Sequence, residues 1–278
     1  MSDIDDLVLS GARPTAKRLI LSLLSQPNMS SLSLRQLVAW GDLLGQKPAA
    51  IRVTAGRLVQ DTLLSKTARG VYTIGPAGQA LRDQASAWIT TLDQVRGWDG
   101  GWYCAHTGHL GKAIRRNVRA RQRALRLLGF EELVAELWIR PDNLVHSAAD
   151  MHMQLCRLGA EAGVIVSRSE DLQQVGMVTP LALWAAGDLN AGYLRAIEIL
   201  EQSEQRLRGQ GPRAVARETF VVGEHVIRQI NTDPLLPSEC VDVEARKRLV
   251  QAMKRYSEFC HPFWAEFLSV ADLSKSPH

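Results

Sequence analysis

The residues best placed to do recognition chemistry lie close together near the N-terminus: Lys47, Arg52, Thr54, Gly56, Arg57 and Gln60. Spacings of three and four put most of them on one side of a helix. A guanidinium offers a two-pronged donor to guanine O6 and N7, a glutamine amide does the same for adenine, and a threonine methyl fits against a thymine methyl. Gly56 costs a helix about 1 kcal/mol relative to alanine. A bare outer surface that lets the helix approach a duplex would justify it. Lys66 and Arg69 follow in the turn between two strand-like runs, where they can meet phosphates. A second basic stretch runs from Lys112 through Arg115, Arg116, Arg119, Arg121 and Arg123 to Arg126 with no acid. Its readings are a solvated face, an auxiliary DNA track, or a cradle for a phosphorylated ligand, with Arg115, Arg116 and Arg119 as the candidate phosphate partners.

Other arrangements fail on spacing. Cys104, His106 and His109 form C-x-H-x-x-H, but no second ligand pair with zinc-site spacing accompanies them. They read as packing or surface residues. Gly108 to Ala113 lies between a strand and a helix, yet His106 and Ala113 stand where a phosphate-binding loop needs glycine and a hydroxyl residue. Neither a G-x-S-x-G elbow nor a G-x-G-x-x-G turn is present. No catalytic residue, metal or resident cofactor is expected.

Charge places the chemistry at the same end. The 278-residue chain carries a formal net charge of +4. Between Arg13 and Arg82 it has ten basic residues against Asp42 and Asp61, a local balance of +8. The acidic start, Met1 to Asp6, is unlike a secretory signal. The longest uncharged stretch, Leu172 to Gly187, is too short to span a bilayer. Four cysteines without a CxxC pair suit reduced thiols, and a cytoplasmic, non-membrane protein is expected.

The elements that must hold these residues follow from periodicity. Helices are expected at Thr15 to Ser25, from Ser33 to about Leu44, and from Pro48 to Asp61, the last burying Ile51, Ala55, Leu58 and Val59. Strands at Leu63 to Lys66 and Gly70 to Ile74 then form a hairpin. That is the plan of a winged helix-turn-helix, continued by a helical stretch from Gln79 to Val95. Beyond Gly97, Gly100 and Gly101 the expected order is a strand at Trp102 to Thr107, a helix at Leu110 to Leu128, strands at Phe130 to Leu133 and Leu137 to Arg140, a helix at Ala148 to Leu158 and a strand at Val164 to Ser167. This β-α-β-β-α-β order is ferredoxin-like. Helices at Pro180 to Trp184, Ala191 to Leu207, Arg213 to Ile230 and Val243 to Leu268 complete an α+β chain of three expected domains: residues 1–96, 97–175 and a helical 176–278.

Three spaced signatures carry a family resemblance: Trp98-Asp99-Gly100-Gly101-Trp102, Leu128-Gly129-Phe130 leading to Leu137-Trp138-Ile139-Arg140-Pro141, and Asp233-Pro234-Leu235-Leu236-Pro237. With the run Ile51 to Val59, they resemble the PaaX-type repressors over nearly the whole chain. The resemblance implies a homodimeric repressor of aromatic-acid catabolic genes, phenylacetate-type, bound to double-stranded operator DNA. It also implies release by an aryl-coenzyme A thioester such as phenylacetyl-CoA. The middle domain is similar to small ferredoxin-like nucleases of CRISPR adaptation, which carry a metal-binding aspartate at the end of the first strand. Here that strand ends Ala105-His106-Thr107-Gly108, so a nucleic-acid-processing enzyme is the alternative rather than the leading expectation.

Overall fold

The computed structural model describes residues 14–26, 29–67, 70–170, 172, 180–184 and 187–273. The fold is α+β, with two antiparallel sheets. The described helices are α1 (Ala16–Leu24), α2 (Leu34–Leu43), α3 (Pro48–Gln60), α4 (Gln79–Ser86), α5 (Arg115–Leu127), α6 (Ala148–Arg157), α7 (Gly187–Leu207), α8 (Pro212–Asn231) and α9 (Val243–Leu273). The strands are β1 (Ser31–Ser33), β2 (Leu64–Lys66), β3 (Val71–Ile74), β4 (Trp102–His106), β5 (Glu131–Val134), β6 (Leu137–Pro141) and β7 (Ile165–Ser169). No described helix is long and apolar enough to cross a membrane.

The chain divides into two compact units, and both are discontinuous in sequence. One holds residues 1–89, 195–231 and 248–278; the other holds 90–194 and 232–247. The segment 176–278, expected as a helical domain of its own, is shared between them. Helical periodicity reveals an apolar stripe but not which partner covers it.

In the first unit, the Thr15 hydroxyl caps α1 by accepting from the Arg18 amide at 3.3 Å. The helix buries Leu19, Ile20, Leu23 and Leu24. A reciprocal capping box between Ser33 and Gln36 opens α2. The small sheet runs β1-β3-β2, with Leu32 and Lys66 both opposite Tyr72. Strand β1 was not expected, because three residues are too few for alternation to register. At the core, buried Trp40 of α2 packs its ring 5.8 Å from Phe220, 5.0 Å from Trp264 and 5.2 Å from Phe267. Phe220 belongs to α8 and the other two to α9, so the C-terminal helices complete the N-terminal core.

The second unit contains a four-stranded sheet in the order β5-β6-β4-β7, every neighbour antiparallel. Helices α5 and α6 cover one face through Leu125, Ala124, Met151 and Leu155. The other face buries Trp102, Cys104 and Ile139 beneath Trp98, Leu181, Leu183 and Trp184. The three sequence signatures meet here. Buried Arg140 donates to the Leu128 carbonyl and, at 3.0 Å, to Asn143 Oδ1. Asn143 donates to the Leu235 carbonyl at 2.7 Å, and Arg246 to the Leu236 carbonyl at 2.7 Å. Gly129 has a φ of +77°, and a Cβ there would sit 2.8 Å from Pro234. Burial pushes the Arg140 guanidinium down to about 10, which leaves it cationic at neutral pH. Burial also raises the Asp233 carboxyl, against the pull of Arg246.

Two expected helices are shorter than their periodicity suggested. The stretch from Gln79 ends as α4 at Ser86 and continues as short 3₁₀ turns, because Val95 is drawn into a bridge with Leu144. Helix α5 begins at Arg115 rather than Leu110. Upstream, the Leu110 amide turns back to the Thr107 carbonyl and Lys112 is held by Glu136 at 2.6 Å. In the other direction, α9 runs on to Leu273 with Pro262 inside it.

Replacing Trp40 by alanine is expected to destabilise the protein by about 3–5 kcal/mol, since the surrounding rings cannot close the cavity fully. Chemical denaturation checks this, and an unchanged midpoint would remove the aromatic cluster as the anchor. Asn143→Ala is expected to cost about 1–3 kcal/mol by stranding its buried partners, the Arg140 guanidinium and the Leu235 carbonyl.

Candidate nucleic-acid interface

Helix α3 is set by its neighbour α2 before any side chain faces outward. Ile51 reaches so close to α2 that a Cβ on Gly41 would lie 2.6 Å from its Cγ1. Only glycine at position 41 allows this approach. Ile51, Ala55 and Leu58 are buried, Pro48 occupies the first turn, and Lys47 sits at the N-cap with no side-chain hydrogen bond. No acid stands in the first turn, so the free amide groups there can accept an anion.

The opposite face carries Lys47, Arg52, Gly56, Arg57 and Gln60, all exposed, with Thr54 half-buried at the edge. Val53 is 54% exposed beside them. Arg52, Gly56 and Gln60 form one row at intervals of four, and Val53 and Arg57 a second row. Among the described residues, neither Arg52 nor Arg57 has a hydrogen-bond or ion-pair partner. Nothing lies within 4 Å of a Cβ built on Gly56, so this glycine satisfies no packing need inside the protein.

The β2–β3 hairpin supplies the second element. Thr67 closes the turn by exchanging backbone bonds with Val71 and Gly70, and Gly70 takes a φ of +73° that favours glycine. Lys66 is exposed, its Nζ 5.7 Å from the centre of the Tyr72 ring. Arg69 lies outside the described residues. Elsewhere on this unit Arg18 bonds Glu224 at 2.9 Å and Asp42 bonds Arg213 at 2.8 Å. Among the described residues, the cations of α3 and Lys66 have no ion-pair partner.

In the second unit, Arg115, Arg116 and Arg119 are exposed and share their face of α5 with exposed Arg123 and Arg126. Arg121 turns inward instead and pairs with Glu161 at 3.0 Å. Like charges at spacings of three or four (115/119, 116/119, 119/123 and 123/126) cost an isolated helix a few tenths of a kcal/mol each, about 1–2 kcal/mol together. An open depression of about 390 Å³ beside this face is lined by Arg119, Gln122, Arg123, Arg126, Leu127 and Thr232. The C-x-H-x-x-H residues do not converge: Cys104 is buried, His106 is exposed, and His109 bonds the Gly163 carbonyl at 2.7 Å. Among the described residues, no group of three or more His, Cys, Asp and Glu is placed to hold a metal.

No protein-family model matches the sequence. No protein of curated function matches it either. Among solved structures, the chain is similar in fold to an uncharacterized protein, Rv0674, from Mycobacterium tuberculosis. The TM-score is 0.59 at 20% identity, covering 93% of this chain and 99% of the other. At that identity the likeness concerns the fold alone.

Two substitutions separate packing from surface here. Gly56→Ala is expected to stabilise the protein by about 0.5–1 kcal/mol, because its surroundings are open and alanine is the better helix former. Gly41→Ala is expected to destabilise it, as Ile51 must shift to relieve the contact. Thermal unfolding of the two variants checks the opposite signs.

Proposed function

We propose that the chain is a DNA-binding transcriptional repressor that reads an operator with α3 and is released by an aryl-CoA thioester. The observation that carries this reading is the outward face of α3: Arg52, Val53, Arg57 and Gln60 around an open Gly56, unpaired among the described residues. Three helices followed by the β2–β3 hairpin, with β1 as third strand, support a winged helix-turn-helix. The order β5-β6-β4-β7, with α5 and α6 on one face, supports a ferredoxin-like middle domain. Control of aromatic-acid catabolic genes, the cytoplasmic setting and the homodimer come from the resemblance to PaaX-type repressors.

In this reading α3 lies in the major groove. Arg52 and Arg57 donate to base edges, Gln60 meets an adenine, Thr54 and Val53 meet thymine methyls, and Lys47, Lys66 and Arg69 hold phosphates. For the effector, the α5 face offers Arg115, Arg116 and Arg119 to coenzyme phosphates, but of these only Arg119 lines the adjoining depression, where Leu127 is the one apolar residue. An aryl group needs more apolar surface than that. The arginines are therefore not assigned to the effector.

A mobility-shift titration on the DNA upstream of the protein's own gene, with and without a panel of acyl-CoA thioesters, tests both halves. The expected result is a retarded complex dissolved by an aryl-CoA, on a pseudo-palindrome with half-sites about 10 bp or a multiple apart. Retention indifferent to every thioester removes the sensing half. Arg57→Ala is expected to cost about 1–3 kcal/mol and to relax preference at one base pair. A loss equal for all sequences would make Arg57 a phosphate contact instead. Gly56→Leu is expected to abolish retention while leaving thermal stability intact.

A further inference from the structure

Helix α5 is built against its own stability. Six of its thirteen residues are arginine and none is acidic. Two of the six, Arg115 and Arg116, occupy the first turn, where the helix dipole disfavours cations. No side chain caps that end. One arginine, Arg121, is used inside the fold. The other five are exposed, and at 3.6 residues per turn they fall within an arc of about 100° over a length of roughly 16 Å. Among the described residues none of the five has an ion-pair partner; Arg126 alone is braced, with its guanidinium 5.5 Å from the centre of the Trp138 ring. Lys112, just upstream, is already neutralised by Glu136.

A row of unneutralised arginines, stepping along the helix axis by about 1.5, 4.5, 6 and 4.5 Å, matches a polyanion whose charges recur along a line. Duplex DNA presents such a line, with phosphates that accept bidentate bonds from arginine. The shape argues against a compact phosphorylated ligand: the adjoining depression is open, and Arg115 and Arg116 do not line it. A phosphate near Arg115 and Arg116 would also meet the free amide groups of the helix start.

We infer that the arginine face of α5 is a second, sequence-blind track for the phosphate backbone of duplex DNA, separate from the base-reading face of α3. The inference rests on the reading of the chain as a duplex-binding protein. It adds that a share of the affinity comes from a unit that reads no bases.

The test uses the full chain and the quadruple variant R115Q/R116Q/R119Q/R123Q, with Arg126 left on Trp138. All four sites are exposed, and a thermal melt confirms that the variant folds. Binding to a 30-bp random-sequence duplex and to the upstream DNA is measured from about 50 to 200 mM salt. Each phosphate contact contributes about 0.9 to the slope of log affinity against log salt, so loss of four should lower the slope by about 3–4. Over that salt range the native protein should weaken about a hundredfold more than the variant. Loss equal on both duplexes supports the track. Unchanged slope and affinity overturn it. So does a variant that keeps DNA binding but loses affinity for inorganic pyrophosphate, which would make the face a site for small phosphorylated ligands. Arg57→Ala, measured in parallel, separates the two proposals, since it should change discrimination and move the slope by one or less. If the native chain shows no preference for upstream DNA, the repressor reading fails while the slope comparison still decides the α5 track.

Discussion

The first unit depends on the burial of Trp40. This ring sits on α2, in a segment whose own helices are too short and few to cover it. Phe220 from α8 and Trp264 and Phe267 from α9 close around it, edge-on or tilted, at centroid distances of 5.0–5.8 Å. These are favourable aromatic geometries. Through the close contact of Gly41 with Ile51, the same helix determines where α3 lies. The outward direction of Arg52 and Arg57 is therefore set by residues far along the chain, while Glu224 and Arg213 fasten the rim by pairing with Arg18 and Asp42.

In the second unit, the residues of the three spaced signatures are used for packing and hydrogen bonding within the fold. Trp98 donates to the Gly101 carbonyl and its ring packs 5.1 Å from Trp102, which in turn lies 6.0 Å from Trp184. Trp184 donates to the Gly129 carbonyl at 3.0 Å, beside the Pro234 turn. Asp142, buried at the end of β6, receives Arg96 and Arg168. Asn143 and Arg246 hold the Leu235 and Leu236 carbonyls, which the DPLLP turn would otherwise leave unsatisfied. Among the described residues, the exposed arginines of α3 and α5 have no ion-pair partner.

Local patterns were legible in the sequence; their partners were not. The buried face of α3 follows from spacing alone, and Ile51, Ala55 and Leu58 are inside as their period requires. The strands of the second unit lie within a residue or two of their expected places, because each has apolar residues between clear turn signals. Nothing in the periodicity of α8 or α9 says that their stripes belong to the N-terminal core, since an apolar stripe is blind to what covers it. Arginine was likewise ambiguous: Arg121 lies in the same basic run as Arg119 and Arg123, yet it is buried against Glu161. Its inward direction is a matter of helical phase: it lies three and four residues before buried Ala124 and Leu125. The unpaired state of Arg52 and Arg57 was invisible too, because pairing depends on which acids the fold brings near.

The discontinuity of the first unit has a consequence for how the chain is made. Residues up to Ile89 leave the ribosome more than a hundred residues before Arg195 onward. Until the later helices emerge, the indole of Trp40 lacks the three rings that close around it. Contacts that span so much sequence close slowly, and the waiting apolar surface can associate with other chains. The half of the protein that comes first in synthesis is thus completed last, and its maturation is tied to full translation of the chain.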